Sequence, residues 1–234
     1  MIRLDFHVHS HFSFDGFMSP KAIIDKAKRK CLSGIAITDH GTIKGGLIAL
    51  AENEDDDFLV IVGTEIHSEI GDIIGLFLKE EITSHDSQEV VHEIHQQGGI
   101  AVLPHPYNHH HLPLSGDLLA SLDAVEVRNG RVKDYTDRVM GEVVSVHQLA
   151  SIAGSDAHLP WEVGRVWTEI EGDTQDALAV RDAIIHRCCQ PSGYAASPSR
   201  TAILLSKMMK RYRQLWKTEV RSLPNHKRHR SIHG

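Results

Sequence analysis

Histidines and carboxylates recur along this sequence where short apolar runs end, in positions from which they could bind metal ions. His7 and His9 in FHVHS follow the first apolar run, and residues two apart in an extended chain point to the same side. Asp15 follows in a short loop, in SFDG. Further polar residues follow later apolar runs: His40 in ITDHG, Glu65 in GTE, His105 in PHP, and Asp156 and His158 in GSDAH. Any one motif could arise by chance in a chain with 18 histidines, so their repeated placement carries the prediction.

The mixture of donors indicates which ions and which reaction these residues would suit. Imidazole nitrogens combined with carboxylate oxygens favour Zn, Mn or Fe over Ca and Mg, which prefer oxygen ligands. Ions that share a carboxylate can lie side by side, and such a pair or trio can generate hydroxide and hold a phosphoryl group. The residues therefore predict a cluster of divalent metal ions, which could support chemistry at a phosphoryl group.

Apolar runs alternate with helix-like stretches along the chain, as expected when strands alternate with helices. The predicted strands are 3–7, 34–38, 58–66, 73–78, 100–103, 124–127 and 152–154, and the predicted helices are 20–31, 44–53, 87–97, 135–149 and 174–187. This order favours a largely parallel sheet or barrel, although 58–78 predicts a local hairpin of two strands. Loops that follow barrel strands share one face, so the motifs above should converge there.

The ordered motifs FHVHS, SFDG, ITDHG, GTE, PHP and GSDAH resemble those of the PHP family, named for polymerase and histidinol phosphatase. The resemblance covers about residues 1–195 and implies an α/β fold, a distorted (β/α)7 barrel, with a trinuclear metal site. It also implies phosphoesterase chemistry with two to three Mn, Fe or Zn ions per chain, in which a hydroxide bridging the ions is the nucleophile.

The resemblance also implies which residues bind each ion. The first two sets share Glu65: His7, His9, Glu65 and Asp156 for one ion, and Glu65 and His105 for a second, while Asp15, His40 and His158 bind a third. The sequence departs from the family pattern in GDIIGL, where Asp72 stands in place of a histidine that members often carry. Asp72 would bind zinc more weakly than that histidine, or would not bind at all, and His67 is a less favoured substitute.

Several other polar residues could act around the ions. Arg128 in EVRNG and Arg165 in GRVWT could clamp a phosphate through paired hydrogen bonds, or could form surface salt bridges. Asp39 could orient the imidazole of His40 or cap a turn. The three histidines at 109–111 could line the entrance or give a proton to a leaving group, although such runs are more often solvated loops. Glu126 is interpreted as structural.

Length and composition fit one sizeable domain with a short appendage. We interpret residues 1–195 of the 234 as the barrel and 196–234 as a tail. Residues 200–234 contain ten Lys or Arg and one acidic residue, which predicts a short basic helix near 201–220 and a disordered end. The chain shows neither a long apolar span nor a signal core, so we expect a cytoplasmic protein without a membrane partner. The three cysteines are expected to be free thiols.

The sequence leaves the substrate open, and with it one alternative function. The substrate could be a small phosphorylated metabolite, a nucleotide or the end of an oligonucleotide, and the basic tail favours a nucleic acid partner. The alternative is a metal-stabilised PHP module without catalysis that binds a phosphorylated ligand or partner. A third interpretation is hydrolysis of a C–N bond, which similar barrels with similar metals perform. The implied site of three ions disfavours this interpretation.

Overall fold

The computed structural model describes residues 1–106, 114–132, 137–172 and 176–194, together with Leu204, Met208 and Arg211 in the C-terminal segment. In those ranges the strands are β1 Ile2–Val8, β2 Gly34–His40, β3 Leu59–Ser68, β4 Gly71–Leu76, β5 Ile100–Leu103, β6 Ala124–Asn129, β7 Ala150–Gly154, β8 Val166–Ile170 and β9 Cys189–Gly193. The helices are α1 Pro20–Arg29, α2 Lys44–Glu52, α3 Ser87–Gln96, α4 Gly116–Ser121, α5 Asp137–His147 and α6 Ala177–Ile185.

The strands form one sheet in the order β7-β6-β5-β4-β3-β2-β1-β8-β9. β1, β2 and β3 run parallel, as do β5, β6 and β7, whereas β4, β8 and β9 pair antiparallel with their neighbours. β7 also packs against β1, β8 and β9, so the sheet curls into a nearly closed barrel. The expected distorted α/β barrel is therefore confirmed, and so is the hairpin, which β3 and β4 form.

Strand register carries the polar motifs to one rim of this barrel. His40 at the end of β2 lies opposite Glu65 in the parallel ladder with β3. Val8 at the end of β1 forms an isolated parallel bridge with Ala157, which follows β7. Because parallel strands end at the same edge, the residues that follow them meet there.

The helices cover the outside of the sheet through apolar faces. In α1 the Ser19 side chain accepts a hydrogen bond from the Ala22 amide, and Pro20 begins the helix, as the sequence predicts. Ile23 and Ile24 of this helix are buried in a cluster with the β2 residues Ile35 and Ile37. This packing anchors the loop before α1, which carries Asp15.

Three elements lie outside the sequence-based predictions. β9 has the sequence CQPSG, whose proline and glycine are poor strand formers and are tolerated at the edge of a sheet. β8 alternates buried and half-buried residues and joins β1 in antiparallel pairing, and α4 is a six-residue helix capped by Ser115. The predicted basic helix near 201–220 falls mostly outside the described residues, among which Leu204, Met208 and Arg211 are helical and exposed.

Among the residues that the structure describes, none of the helices has the length and apolar character needed to cross a bilayer.

Candidate metal centre

Eight of the predicted ligands lie together at the rim where the parallel strands end. They are His7, His9, Asp15, His40, Glu65, His105, Asp156 and His158, and hydrogen bonds or short ion pairs connect all of them. His7 Nε2 lies 2.9 Å from His9 Nε2, and Asp156 Oδ1 lies 3.4 Å from His9 Nε2. The sequence motifs therefore converge, as the barrel topology predicts.

The backbone joins the motif at the end of β1 to the loop after β7. The Asp156 amide donates to the His7 carbonyl at 2.7 Å, and the His9 amide donates to the Ala157 carbonyl at 2.9 Å. Asp156 has φ of 53° and His105 has φ of 28°. Positive φ costs a residue other than glycine about 1–3 kcal/mol, and such strain clusters at functional sites.

Glu65 lies at the centre of the cluster, buried on β3. Its Oε1 accepts a hydrogen bond from His105 Nε2 at 2.9 Å, and its Oε2 lies 3.1 Å from His40 Nδ1. The same Oε2 lies 3.4 Å from His9 Nε2 and 3.5 Å from His7 Nε2. Each oxygen of this carboxylate therefore faces a different set of imidazoles.

Hydrogen bonds at Nδ1 fix the orientation of two imidazoles. His7 Nδ1 bonds with Glu126 Oε1 at 3.2 Å, and His9 Nδ1 bonds with Ser13 Oγ at 3.0 Å. Ser13 Oγ in turn donates to Asp39 Oδ1 at 2.8 Å, which settles its role as the acceptor from His9. Each Nδ1 then carries a proton, which leaves Nε2 as the nitrogen through which each ring would bind an ion.

Asp15 connects the two histidines at the other end of the cluster. Its Oδ2 lies 3.1 Å from His158 Nε2, and its Oδ1 lies 3.6 Å from His40 Nε2. Oδ1 is buried and has no hydrogen-bond partner among the described residues. A buried carboxylate oxygen without a partner is costly, unless a ligand such as a cation binds it.

The charges of the cluster shift the pKa values of its members in opposite directions. Burial lowers the pKa of His9 to about 3, and the charges of His158 and His40 lower it further, so this imidazole stays neutral. Burial also opposes the charge on His40, but Glu65 and Asp15 outweigh it and raise the pKa to about 10. For His105, Glu65 outweighs burial and raises the pKa to about 9.

The carboxylates respond in the complementary direction. Burial would raise the pKa of Glu65, but the charges of His40 and His7 hold it well below the usual range for a glutamate. The pKa of Asp156 is likewise lowered, because His7 and His9 outweigh the effect of burial. The cluster therefore concentrates ionised carboxylates and imidazoles, and metal ions and protons would compete for their oxygen and nitrogen atoms.

The residues fit divalent metal ions by both chemistry and geometry. Three groups each bring their ligand atoms within 4.8 Å of one another: His9, His40 and His158; His7, His9 and Asp156; and His7, Glu65 and His105. Nitrogen donors with carboxylates suit Zn, Mn or Fe. The unpartnered Asp15 Oδ1 lies beside the first group, which adds an oxygen ligand to its three imidazoles.

Other residues singled out from the sequence occupy more varied positions. Asp72 lies outside the three groups of described residues, and its Oδ1 bonds across the hairpin with His67 Nδ1 at 2.9 Å. Arg128 Nη1 donates to the Gly193 carbonyl at 3.0 Å, which engages it away from the cluster. Arg165 follows the loop after β7, and its buried Nη1 has no partner among the described residues.

Two further sequence-based interpretations have different outcomes. Asp39 does not contact the His40 imidazole in the described contacts; it accepts hydrogen bonds from the loop of Ser10 and Ser13. It therefore supports His9 through Ser13 rather than orienting His40. The histidine run at 109–111 lies outside the described residues.

Three residues that support the cluster were not assigned from the sequence. Glu126 was interpreted as structural, yet it accepts from His7 and from the His105 amide; Ser13 orients His9; and Arg131 Nη1 lies 2.8 Å from His158 Nδ1. Glu126 lies within β6 between two valines, and a carboxylate in such an apolar run is a signal that could have identified it. Ser13 and Arg131 lie in loops, where spacing does not indicate direction.

A nearly closed α/β barrel with a buried histidine–carboxylate cluster at its rim is typical of barrels that bind metal ions where their strands end. Residues 5–142 match the PHP domain family, and residues 141–189 match the PHP-associated family. The chain belongs to the PHP domain family.

Similar sequences and structures agree with this assignment. The chain is 36% identical over 149 residues to the uncharacterized protein MJ1587 of Methanocaldococcus jannaschii, covering 57% of this chain and 85% of that protein. It is 28% identical over 137 residues to the PolC-type DNA polymerase III of Halalkalibacterium halodurans, covering 58% of this chain and 9% of the polymerase.

Two solved structures share the fold. One is a two-domain protein from Bacteroides vulgatus ATCC 8482 that contains a predicted PHP-like metal-dependent phosphoesterase; it is 21% identical, with a TM-score of 0.71 over 82% of this chain and 65% of that one. The other is Endonuclease Q in complex with a 27-mer duplex containing an abasic lesion; it is 18% identical, with a TM-score of 0.60 over 78% of this chain and 56% of that one. At such identities the similarity concerns the fold.

Proposed function

We propose that this chain hydrolyses phosphate esters with divalent metal ions held at the barrel rim. The position of Glu65 carries the proposal, because its two oxygens face two sets of imidazoles, as a carboxylate shared between ions must. The proposed ligands are His7, His9, Asp15, His40, Glu65, His105, Asp156 and His158. Asp72 joins them only by exchanging its hydrogen bond with His67 for an ion.

The bound ions would activate water and neutralise charge on the phosphoryl group. The protein would hold and orient the parts around them. Glu126 and Ser13 keep the protons of His7 and His9 on Nδ1, so that both Nε2 atoms point into the cluster. Arg165, whose Nη1 is buried without a partner among the described residues, would bind a phosphoryl oxygen.

We further propose that the ester belongs to a nucleotide or to the end of an oligonucleotide. The similarity to a DNA polymerase segment and to Endonuclease Q with bound DNA supports this substrate class. The excess of Lys and Arg in residues 200–234 supports it as well, because a basic segment attracts phosphate backbones. In this proposal residues 1–195 form the catalytic barrel and 196–234 form a tail that meets the polyanion.

The alternative is a metal-stabilised module that binds a phosphorylated ligand without cleaving it. One assay separates the two functions: turnover of p-nitrophenyl phosphate and of its bis-ester with added Mn²⁺, in the wild type and in the His9→Ala and Asp156→Ala variants. Hydrolysis that both variants abolish supports the phosphoesterase, and the preferred ester narrows the substrate. Ion binding without turnover of nucleotide or model esters would reject hydrolysis in favour of the binding module.

A further inference from the structure

Two large aromatic side chains are exposed at the rim that carries the metal centre. Trp161, three residues after the predicted ligand His158, is 47% exposed, and Tyr194, directly after β9, is 86% exposed. Trp167 shows the more usual situation, because it is half-buried and donates from Nε1 to Glu169 Oε1 at 3.0 Å. Large rings left in water beside a site indicate a surface that a partner covers.

Strand direction brings Tyr194 to this rim. β8 pairs antiparallel with β1, and β9 pairs antiparallel with β8, so β9 runs in the same direction as β1 and ends at the same rim. The Tyr194 amide donates to the Arg165 carbonyl at 2.9 Å, which places these two residues side by side. The ten Lys and Arg of residues 200–234 therefore follow, in the sequence, a residue that lies at the rim.

Hydrogen bonds of Glu162 hold the loop that carries Trp161. Glu162 Oε2 accepts from the amides of His158 and Leu159, both at 3.1 Å, and the Glu162 amide donates to the Leu159 carbonyl at 2.9 Å. The Arg165 amide donates to the Glu162 carbonyl at 3.2 Å, so a second turn follows the first. Trp161 therefore stands on an ordered backbone between His158 and Arg165, and a partner that covers its ring has little backbone left to order.

Arg165 supplies positive charge between the two aromatic residues. It follows Trp161 by four residues and is joined to Tyr194 through the backbone. Its Nη1 is buried and has no hydrogen-bond partner among the described residues. A guanidinium binds phosphate oxygens through charge-assisted hydrogen bonds, often in pairs. Two exposed rings on either side of a guanidinium match a strand whose bases alternate with backbone phosphates.

We infer that Trp161, Arg165 and Tyr194 form a strip that binds single-stranded nucleic acid and leads its end to the metal centre. One base stacks on the Trp161 ring and another on the Tyr194 ring, and a phosphate between them contacts Arg165. Bases in a duplex stack on each other and have no free faces, so the strip selects single strands. The cleavage of the bound end rests on the proposed function, whose substrate class this inference narrows to the ends of single strands.

The test measures strand affinity by fluorescence anisotropy, in the full chain equilibrated with Mn²⁺. A thymidine octanucleotide is compared with an abasic strand of equal length and charge, which keeps the phosphates and lacks the bases. The wild type should bind the thymidine strand about a hundredfold more tightly, since each stacked base contributes about tenfold. Trp161→Ala and Tyr194→Ala should each weaken binding of the thymidine strand about tenfold without affecting the abasic strand, and Trp161→Phe should restore most of the loss. Leu178→Ala, which removes an exposed apolar side chain from α6, is the control and should bind like the wild type.

Equal affinity of the wild type for the thymidine and abasic strands, or unchanged affinity in both alanine variants, would overturn the inference and assign the exposed rings to another partner. A blunt duplex that binds as tightly as the single strand would also refute it. A uridine octanucleotide shows whether the strip prefers RNA or DNA, since the tighter-binding strand identifies the source. Base-dependent binding without cleavage of any phosphate ester would reject the proposed hydrolysis and leave the strip intact. Cleavage of p-nitrophenyl phosphate without base-dependent binding would do the reverse.

Discussion

Replacing Glu126 by Gln tests how the cluster prepares His7 for an ion. The carboxylate is buried and accepts from His7 Nδ1 at 3.2 Å, from the His105 amide at 2.9 Å and from Asn129 Nδ2 at 2.8 Å. An amide has one accepting oxygen, so its NH2 must face either His7 or the two other donors. If the NH2 faced the His105 amide and Asn129 Nδ2, two hydrogen bonds would be lost at a cost of about 1–3 kcal/mol each, so the NH2 should face His7.

That orientation reverses the tautomer of His7. An NH2 that donates to Nδ1 leaves the proton of a neutral His7 on Nε2, where it blocks ion binding. We expect Glu126→Gln to weaken the affinity for metal ions about 10–100-fold, the range for residues that orient metal ligands. The assay is competition of the purified protein against a chelating dye, with Glu169→Gln on β8 as control. Unchanged ion affinity, with a folded Glu126→Gln protein, would refute this reasoning.

Three further predictions follow from the cluster and the tail. Ser13→Ala removes the acceptor of His9 Nδ1 and a donor to Asp39. Dye competition should therefore show about tenfold weaker ion binding, and thermal unfolding should show a free energy of unfolding lower by about 1–3 kcal/mol. Equal values for the variant and the wild type would contradict this prediction. The pKa values of His40 and His105 are raised from 6.5 to about 10 and about 9, so protonation of these imidazoles stabilises the ion-free protein. This contribution is complete below pH 6.5 and is lost as pH rises through 9–10. Urea unfolding of the ion-free protein should show stability falling between about pH 7 and 10, and a flat profile would be inconsistent with this contribution. Deleting residues 200–234 should raise KM for an oligonucleotide, more at low salt, and kinetics with no change in KM would exclude a role for the tail.

The sequence predicts the convergence of these residues well because the barrel topology brings the ends of the parallel strands together. Residues such as His40 and Glu65 need only stand at the ends of parallel strands, and the ladder between β2 and β3 then places them opposite each other. A period of two explains why His7 and His9 point the same way. These features are local in the sequence, so the motif order is enough to infer that the residues converge.

The supporting contacts are harder to predict because they depend on side-chain direction in loops. Arg128 and Arg131 lie three residues apart in one segment, yet Arg128 donates to β9 and Arg131 reaches His158. A register shift between Glu126 and Arg128 alters which side the following residues face. Similarly, the pairing of Asp72 with His67 requires the register of the hairpin, which the hydrophobic pattern alone does not specify.

The most direct test of the central claim is the number of metal ions bound per folded chain. Protein purified without chelator and equilibrated with Mn²⁺ or Zn²⁺ would be analysed by elemental analysis after buffer exchange, beside the His9→Ala variant, whose imidazole belongs to two of the three ligand groups. We expect two to three ions per wild-type chain and fewer in the variant. A folded wild-type chain that retains no ion would contradict it.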